Sequence, residues 1–347
     1  MGNKNLQEAK KNKNDEFYTQ YDTIQNEVDN YKEHFRGKTV MCNCDDPYES
    51  NFCKYFMMRF ERFGLKRLIC TSYAHSPIMG KDRIPDADGE MMTDKRGYVL
   101  DITEVPHPTS EEPNEKDAEA YIRSGIVKKL EGDGSFESKE CVGLLKQADI
   151  VVTNPPFSRF RDYVGLLIKE EKGFLIIGNK NAVTYKEIFP LIKDGKIWLG
   201  IEQPANFITP NGETQNVNGI PRWYTNLDHK KRHEPLQLMT MEDNLRFSKK
   251  IKSYPRYDNY DAIEVPLVKG IPSDYDGAMG VPITFLDKYC PEQFEIIGCS
   301  ESEGKGFSNG LWKVGSKIAQ PMINGKKTYK RIFIKYTDTW INRDPEQ

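Results

Sequence analysis

Asp149-Ile150-Val151-Val152-Thr153-Asn154-Pro155-Pro156-Phe157 is the stretch on which the reading of this chain turns. Ile150, Val151 and Val152 form a β-branched run without polar alternation, the pattern of a strand buried on both faces. Asn-Pro-Pro stops it, because proline lacks the amide hydrogen that a ladder needs and confines the preceding residue to extended or turn geometry. A buried strand closed by a rigid turn predicts an open α/β sheet with a site at the strand's carboxyl end.

The same rhythm extends outward. Upstream, Val40-Met41-Cys42 reads as a first strand, Phe52, Tyr55, Phe56, Phe60 and Phe63 recur at helical spacing, and Leu68-Ile69-Cys70 completes a βαβ unit. Tyr98-Val99-Leu100 adds a strand, Pro106 to Pro113 a surface loop, and helices are expected over 117–130 and 138–147. Downstream come a helix over 159–171, a strand at Phe174-Leu175-Ile176-Ile177, a helix near 185–193 and a strand at Ile197-Trp198-Leu199. Residues 202–221, rich in Asn, Gly and Pro, predict a long loop. Beyond Asp228 the pattern changes to aromatics and prolines, with strand-like pieces at 262–265, 281–286 and 331–334. The expected domains are 1–228 and 229–347.

Composition sets limits. The 347 residues hold 50 Lys and Arg against 52 Asp and Glu, a formal charge of -2. Residues 229–347 carry 19 basic and 16 acidic side chains, +3, and the remainder is -5. Basic residues there cluster as Lys230-Lys231-Arg232, Lys249-Lys250 and Lys326-Lys327, either solvated surface or a phosphate-binding footprint. No apolar run approaches the roughly 20 residues of a membrane span, and Met1-Gly2-Asn3-Lys4-Asn5 does not resemble a secretory signal, so a cytoplasmic protein is expected. The seven cysteines (42, 44, 53, 70, 141, 290, 299) read as reduced core thiols. Cys42-x-Cys44 has the wrong spacing for a zinc knuckle and His229-x-x-x-His233 lacks further ligands, so no metal is expected.

Each member of Asn154-Pro155-Pro156-Phe157 has a task. An exocyclic ring amine such as adenine N6 is a feeble nucleophile because its lone pair is delocalised. The Asn154 side-chain oxygen and the Pro155 carbonyl can accept from both of its hydrogens and favour a pyramidal nitrogen. The prolines hold those acceptors rigid, and Phe157 offers a face on which an extruded base can stack. An ordinary strand-ending turn is the alternative reading. The turn after the first strand, Asn43-Cys44-Asp45-Asp46-Pro47, occupies the nucleotide-binding place of such a sheet. Its carboxylates suit a cationic ligand and would repel a pyrophosphate. No Gly-x-Gly-x-x-Gly is present there, and Asp45 and Asp46 can equally cap the next helix. Asp101 reads as a surface carboxylate before a ribose ligand, Asn206, Asn211 and Asn216 as turn formers, and Trp223-Tyr224 as core.

Asp15-Glu16-Phe17-Tyr18-Thr19-Gln20, Cys42-Asn43-Cys44-Asp45-Asp46-Pro47, Gly132-Asp133-Gly134-Ser135-Phe136, the Asn154 stretch and Gly280-Val281-Pro282-Ile283-Thr284-Phe285-Leu286 together resemble the EcoRI-type adenine-specific DNA modification methylases, in order and over nearly the whole chain. The resemblance implies a Rossmann-like methyltransferase fold, S-adenosyl-L-methionine as cofactor, a flipped adenine in double-stranded DNA as substrate, and a C-terminal target-recognition region. It implies that Phe17, Tyr18 and Thr19 belong to an amino-terminal cofactor element, Asp45 to the cofactor turn, and Asp133 to the strand end next to the catalytic turn. The usual Phe-x-Gly-x-Gly cofactor turn is absent, and Cys44-Asp45-Asp46-Pro47 stands in its place. The expected setting is the modification enzyme of a type II restriction-modification system, or an orphan or phage methylase. It is expected to act as a monomer, with no stable complex with any cognate endonuclease. Methylation of RNA adenine or of a protein glutamine by the same fold, and a catalytically dead DNA-binding module, are the competing readings.

Overall fold

The computed structural model describes residues 18–48, 50–74, 96–105, 115–208, 214–216, 219–300, 308, 310–313, 315 and 319–342. Phe17, the Pro106–Pro113 stretch and Asn211 lie outside the described residues. The chain divides into two compact units, Met1–Asn181 with Leu199–Asp228, and Ala182–Trp198 with His229–Gln347.

The first unit opens with β1 (Tyr18–Thr19), α1 (Tyr21–Val28), α2 (Lys32–Phe35) and β2 (Thr39–Asn43). Then follow α3 (Asn51–Phe63), β3 (Arg67–Thr71), β4 (Tyr98–Ile102), α4 (Glu115–Tyr121), β5 (Lys128–Lys129), α5 (Lys139–Gln147), β6 (Ile150–Thr153), α6 (Phe160–Lys169) and β7 (Gly173–Asn179). β8 (Trp198–Leu199), β9 (Asn206–Ile208), β10 (Thr214–Asn216) and β11 (Pro221–Thr225) complete it. One eight-stranded sheet has the order β5-β4-β3-β2-β6-β7-β11-β8. Its centre, β3-β2-β6-β7, is parallel, while β4, β5 and β11 pair antiparallel outside it.

Every residue of β2 and β6 is buried, which is why these strands read as unbroken apolar runs rather than alternating ones. Val40, Cys42, Leu68, Cys70, Val152, Leu175, Ile177 and Trp223 share one core with Ile24, Val28, Phe35, Phe52, Tyr55, Phe56 and Phe60 of α1–α3. The aromatic periodicity of α3 is therefore its buried face. Ser50 caps its start and Gly64, at φ 62°, ends it in the left-handed conformation that glycine adopts without steric cost. On the other side of the sheet the Phe160 ring of α6 lies 4.9 Å from Tyr224. Gly178 is required there, because a Cβ would stand 2.3 Å from that ring.

Several expectations are corrected. The helix expected over 117–130 ends earlier: α4 passes into a π-helical turn, Ile122–Ile126, and Lys128–Lys129 pairs as strand β5 against β4. The supposed loop 202–221 contains β9 and β10, which form a three-stranded antiparallel sheet with β1. A partner supplied from the amino-terminal end of the chain, invisible to any local window, makes these residues strands. The helix near 185–193 is only Phe189–Lys193, preceded by a 3-10 turn, Lys180–Thr184.

The second unit contains that helix, α7 (Phe189–Lys193), then α8 (Met241–Phe247), β12 (Ile263–Glu264), β13 (Met279–Pro282), β14 (Phe294–Cys299), β15 (Met322–Ile323), β16 (Lys326–Lys327), β17 (Arg331–Tyr336) and α9 (Asp338–Ile341). Its main sheet is β12-β13-β17-β14. The strand expected over 281–286 stops at Pro282, and Ile283–Lys288 turn as a 3-10 helix. Arg331 and Glu264 form a buried, two-pronged ion pair to which Tyr257 donates a further hydrogen bond. No helix among the described residues is long and apolar enough to cross a membrane.

Candidate active site

β2 and β6 are parallel neighbours, and each runs into a turn at its carboxyl end. The chain leaves β2 for β3 on one side and comes back at β6 on the other, so the strand order reverses between β2 and β6. Connections that diverge in opposite directions leave a crevice outside the strand ends at such a point.

The first turn is tightly held. Asn43 is fully buried and its side-chain oxygen accepts from the Thr71 hydroxyl at 3.0 Å. Cys44 has φ 67°, a left-handed conformation that costs a non-glycine residue roughly 1–2 kcal/mol. The reversal aims the Asp45 amide at the Thr71 carbonyl, 3.0 Å away. Asp45 and Asp46 are only 9 % and 8 % exposed. The Ser50 hydroxyl donates to Asp45 at 3.0 Å and accepts from the Phe52 amide at 3.1 Å. The helix cap is thus Ser50, not Asp45 or Asp46. Asp46 accepts from the Tyr48 amide at 2.9 Å, closing a local turn around Pro47.

The second turn begins at Thr153, whose buried hydroxyl lies against the Asn43 carbonyl and the Asp45 carboxylate. Asn154 follows directly and is half-buried, Pro155 is buried, and Pro156 and Phe157 are half-buried. The Pro156 carbonyl accepts from the Arg159 amide at 2.9 Å, starting the turn into α6, and Phe157 packs against the α1–α3 core. The Asn154 turn and the Asp45 turn are therefore bolted together through one threonine, which the sequence reading did not single out.

Asp133 stands beyond β3, with β2 between it and β6. Its carbonyl accepts from Ala74 at 2.8 Å and its carboxylate from Ser135 at 2.9 Å. The loop approaches so closely that a Cβ on Gly134, at φ 78°, would lie 1.9 Å from the Ser72 carbonyl. Phe136 then reaches α6, its ring 5.0 Å from Tyr163. At the amino-terminal end, the Thr19 carbonyl accepts from Asn51 at 2.8 Å, which ties β1 to the start of α3; Tyr18 is its neighbour in β1.

Asn43 Nδ2, Thr19 Oγ1 and the Tyr163 hydroxyl are buried with no hydrogen-bond partner among the described residues. Such atoms cost free energy unless a ligand satisfies them. Burial holds the Tyr163 phenol well above its ordinary pKa, raises the Cys42 thiol to about 11 and raises Cys70 well above its usual value. These thiols are protonated packing groups, and none of the seven cysteines is in a disulfide. Among the described residues no group of His, Cys, Asp and Glu is arranged to hold a metal ion. His229 instead caps the turn Lys230–His233, and His233 pairs with Glu292 at 2.7 Å.

The other candidates sort cleanly. Asp101 forms a two-pronged ion pair with Arg67 at the surface, both contacts 2.6 Å. Trp223 and Tyr224 are core. Asn206 and Asn216 lie in strands. In the second unit Lys249, Lys250, Lys326 and Lys327 are exposed, as is Lys230, while Lys231 is half-buried. The Arg232 guanidinium lies over the Trp198 ring at 4.0 Å, a cation-π contact that occupies it.

Residues 5–337 match the family described as adenine-specific methyltransferase EcoRI. The chain is 42 % identical over 351 residues, 96 % of each chain, to the type II methyltransferase M.EcoRI of Escherichia coli. It is 39 % identical to M.MpnI of Mycoplasma pneumoniae, over 94 % of this chain and 96 % of the relative. It is 36 % identical to M.MgeORF184P of Mycoplasma genitalium, over 94 % and 97 %. No solved structure matches it. With its sequence, its mixed α/β sheet and its relatives in agreement, the chain belongs to the EcoRI family of adenine-specific methyltransferases.

Proposed function

We propose that this chain is a site-specific DNA adenine N6-methyltransferase, the modification enzyme of a type II restriction-modification pair. The observation that carries the reading is the junction of Asp45 and Asn154 across the reversal point of the sheet, through Thr153. In this reading the first unit is a Rossmann-like catalytic domain and residues 229–347 form the target-recognition region.

S-adenosyl-L-methionine, when bound, would supply an electrophilic methyl group on a sulfonium. The donors and acceptors left over there, Asn43 Nδ2 and Thr19 Oγ1, fit a polar ligand, and the buried carboxylates of Asp45 and Asp46 fit a cationic one. Cys44 and Pro47 shape that turn, and Phe17, Tyr18 and Asp133 are assigned to the cofactor by the family likeness. Asn154 Oδ1 and the Pro155 carbonyl accept the two N6 hydrogens of an adenine swung out of the duplex, and Pro156 keeps the turn rigid. Phe157 stacks on the base. Held by both hydrogens, N6 would present its lone pair to the donated methyl group; the N–C bond would form as the methyl–sulfur bond breaks, with a neutral thioether leaving and one N6 proton passing to solvent. Lys230, Lys231, Lys249, Lys250, Lys326 and Lys327 contact phosphates, with Arg232 held back by Trp198.

Incorporation of labelled methyl groups into duplex DNA, RNA and protein tests this reading, followed by single-molecule sequencing of the DNA product. N6-methyladenine in one sequence context is the expected result. Label in RNA or protein alone, or none in any substrate, overturns it.

A further inference from the structure

We infer that the hairpin β15–β16, together with Tyr329, is a preformed DNA-reading element of this enzyme; the inference rests on the proposed action on duplex DNA and names the element that meets it.

The hairpin is short but over-determined. Asn324 and Gly325, at φ 49° and 73°, form its two-residue turn, with the positive φ values that let a turn match the twist of its strands. Met322 pairs with Lys327 and Ile323 with Lys326. Asp258, itself exposed, holds the turn, accepting from the Asn324 amide at 3.1 Å and the Gly325 amide at 2.8 Å. The Asp258 amide donates to the Met322 carbonyl at 2.8 Å, and the Asn259 side chain accepts from the Met322 amide at 3.0 Å. Thr328 extends the ladder to Pro321 at 2.7 Å. Ile323 packs on the Tyr257, Tyr260 and Phe333 cluster.

Tyr329 emerges from this frame 82 % exposed, the most exposed large hydrophobic side chain among the described residues. Its backbone is held on both sides, by the Thr328 amide on the Pro321 carbonyl before it and by the Arg331 amide on the Ser300 hydroxyl after it. Lys330 donates to the Thr184 hydroxyl at 3.2 Å, and Lys326, Lys327 and Lys330 are all exposed. An isolated two-stranded hairpin is marginal in water, so this degree of bracing for a segment that buries so little needs an external reason. A two-stranded ribbon fits the major groove of a duplex. Lysines on such a ribbon meet phosphates or guanine edges, and a tyrosine held rigid loses little entropy when it stacks on or wedges beside a base. Duplex DNA is the one occupant that matches the ribbon shape, the positive charge and the projecting aromatic together.

The test uses the full-length chain and a fluorescent duplex containing its modified site as mapped by sequencing, beside a scrambled duplex. Anisotropy gives affinity across a salt series, so the readout needs no methyl transfer. The double variant Lys326→Ala and Lys327→Ala lowers the salt slope by about two, at about one per lost phosphate contact. Tyr329→Ala weakens binding to the modified site about tenfold or more and more than binding to the scrambled duplex, and Tyr329→Phe restores it. Unchanged affinity and slope in these exposed-site variants, while the wild-type chain methylates its duplex, overturns the hairpin assignment and leaves the catalytic reading standing. Modification of the mapped site at a position other than adenine N6, with the variants weakened as stated, supports the hairpin and sinks the N6 reading.

Discussion

The Thr153 hydroxyl lies against the Asp45 carboxylate, joining the residue before Asn154 to the turn that follows the neighbouring strand. The same hydroxyl lies against the Asn43 carbonyl, two acceptors for a single proton. Thr153→Val keeps the shape and removes the donor, leaving buried acceptors short of a partner at a cost of about 1–3 kcal/mol. S-adenosylmethionine affinity by calorimetry should fall, while Thr153→Ser stays near wild type. Wild-type cofactor affinity in the valine variant would show that this link does not shape the cofactor turn.

On the proposed reading, Asn154→Ala removes one of the two acceptors for N6 without touching the Asp45 turn. Single-turnover methylation should drop about a hundredfold or more, with cofactor binding kept. Phe157→Ala should instead cost about 1–3 kcal/mol in holding the extruded base, read from 2-aminopurine fluorescence at the target position. Methylation at the wild-type rate by Asn154→Ala would refute the assignment of this turn.

Gly134 should tolerate no side chain. Alanine there meets the Ser72 carbonyl at 1.9 Å and must also adopt φ 78°, so a loss of at least about 2 kcal/mol is expected, with weaker cofactor binding as the Asp133 loop lifts. Gly143, inside α5 with nothing within 4 Å of its Cβ position, is the control, and alanine there should stabilise by up to about 1 kcal/mol. Urea denaturation of both variants decides the matter: equal small effects would mean the close approach relaxes freely.

Glu27 makes stability depend on pH. Burial raises its pKa from 4.5 to about 7, opposed by hydrogen bonds from the Ile201 and Glu202 amides and the Tyr31 hydroxyl. Because the folded value is the higher one, its contribution is fully present below pH 4.5 and is lost as pH rises through about 7. Glu27→Gln keeps an acceptor but cannot ionise. Unfolding free energies of wild type and variant should therefore diverge by about 2–3 kcal/mol between pH 4.5 and 8, with wild type losing ground. A difference that is constant over that range would mean the carboxyl does not titrate as described.

Parallel strands buried on both faces, the aromatic face of α3 and the proline-stopped turn at Asn154 were legible in the residues, because periodicity and proline chemistry act locally. The acidic turn at Asp45 was legible too, though its cap was not. Ser50 takes that role only because Asp45 folds back to hold its hydroxyl. Thr153 looked like one more β-branched strand residue, and what its hydroxyl faces depends on which strand lies alongside. β9 and β10 exist because β1, far away in sequence, supplies hydrogen bonds that no window around residue 206 contains. The sequence by itself determined the central parallel strands, the buried face of α3 and the residue make-up of the two turns. Only tertiary structure decided that the turns meet across β2 and β6, that Asp133 stands beyond β3, and that Arg232 spends its charge on Trp198. Strand order and close approach arise from pairing between distant segments, whose energy is collective and leaves no local mark in the chain.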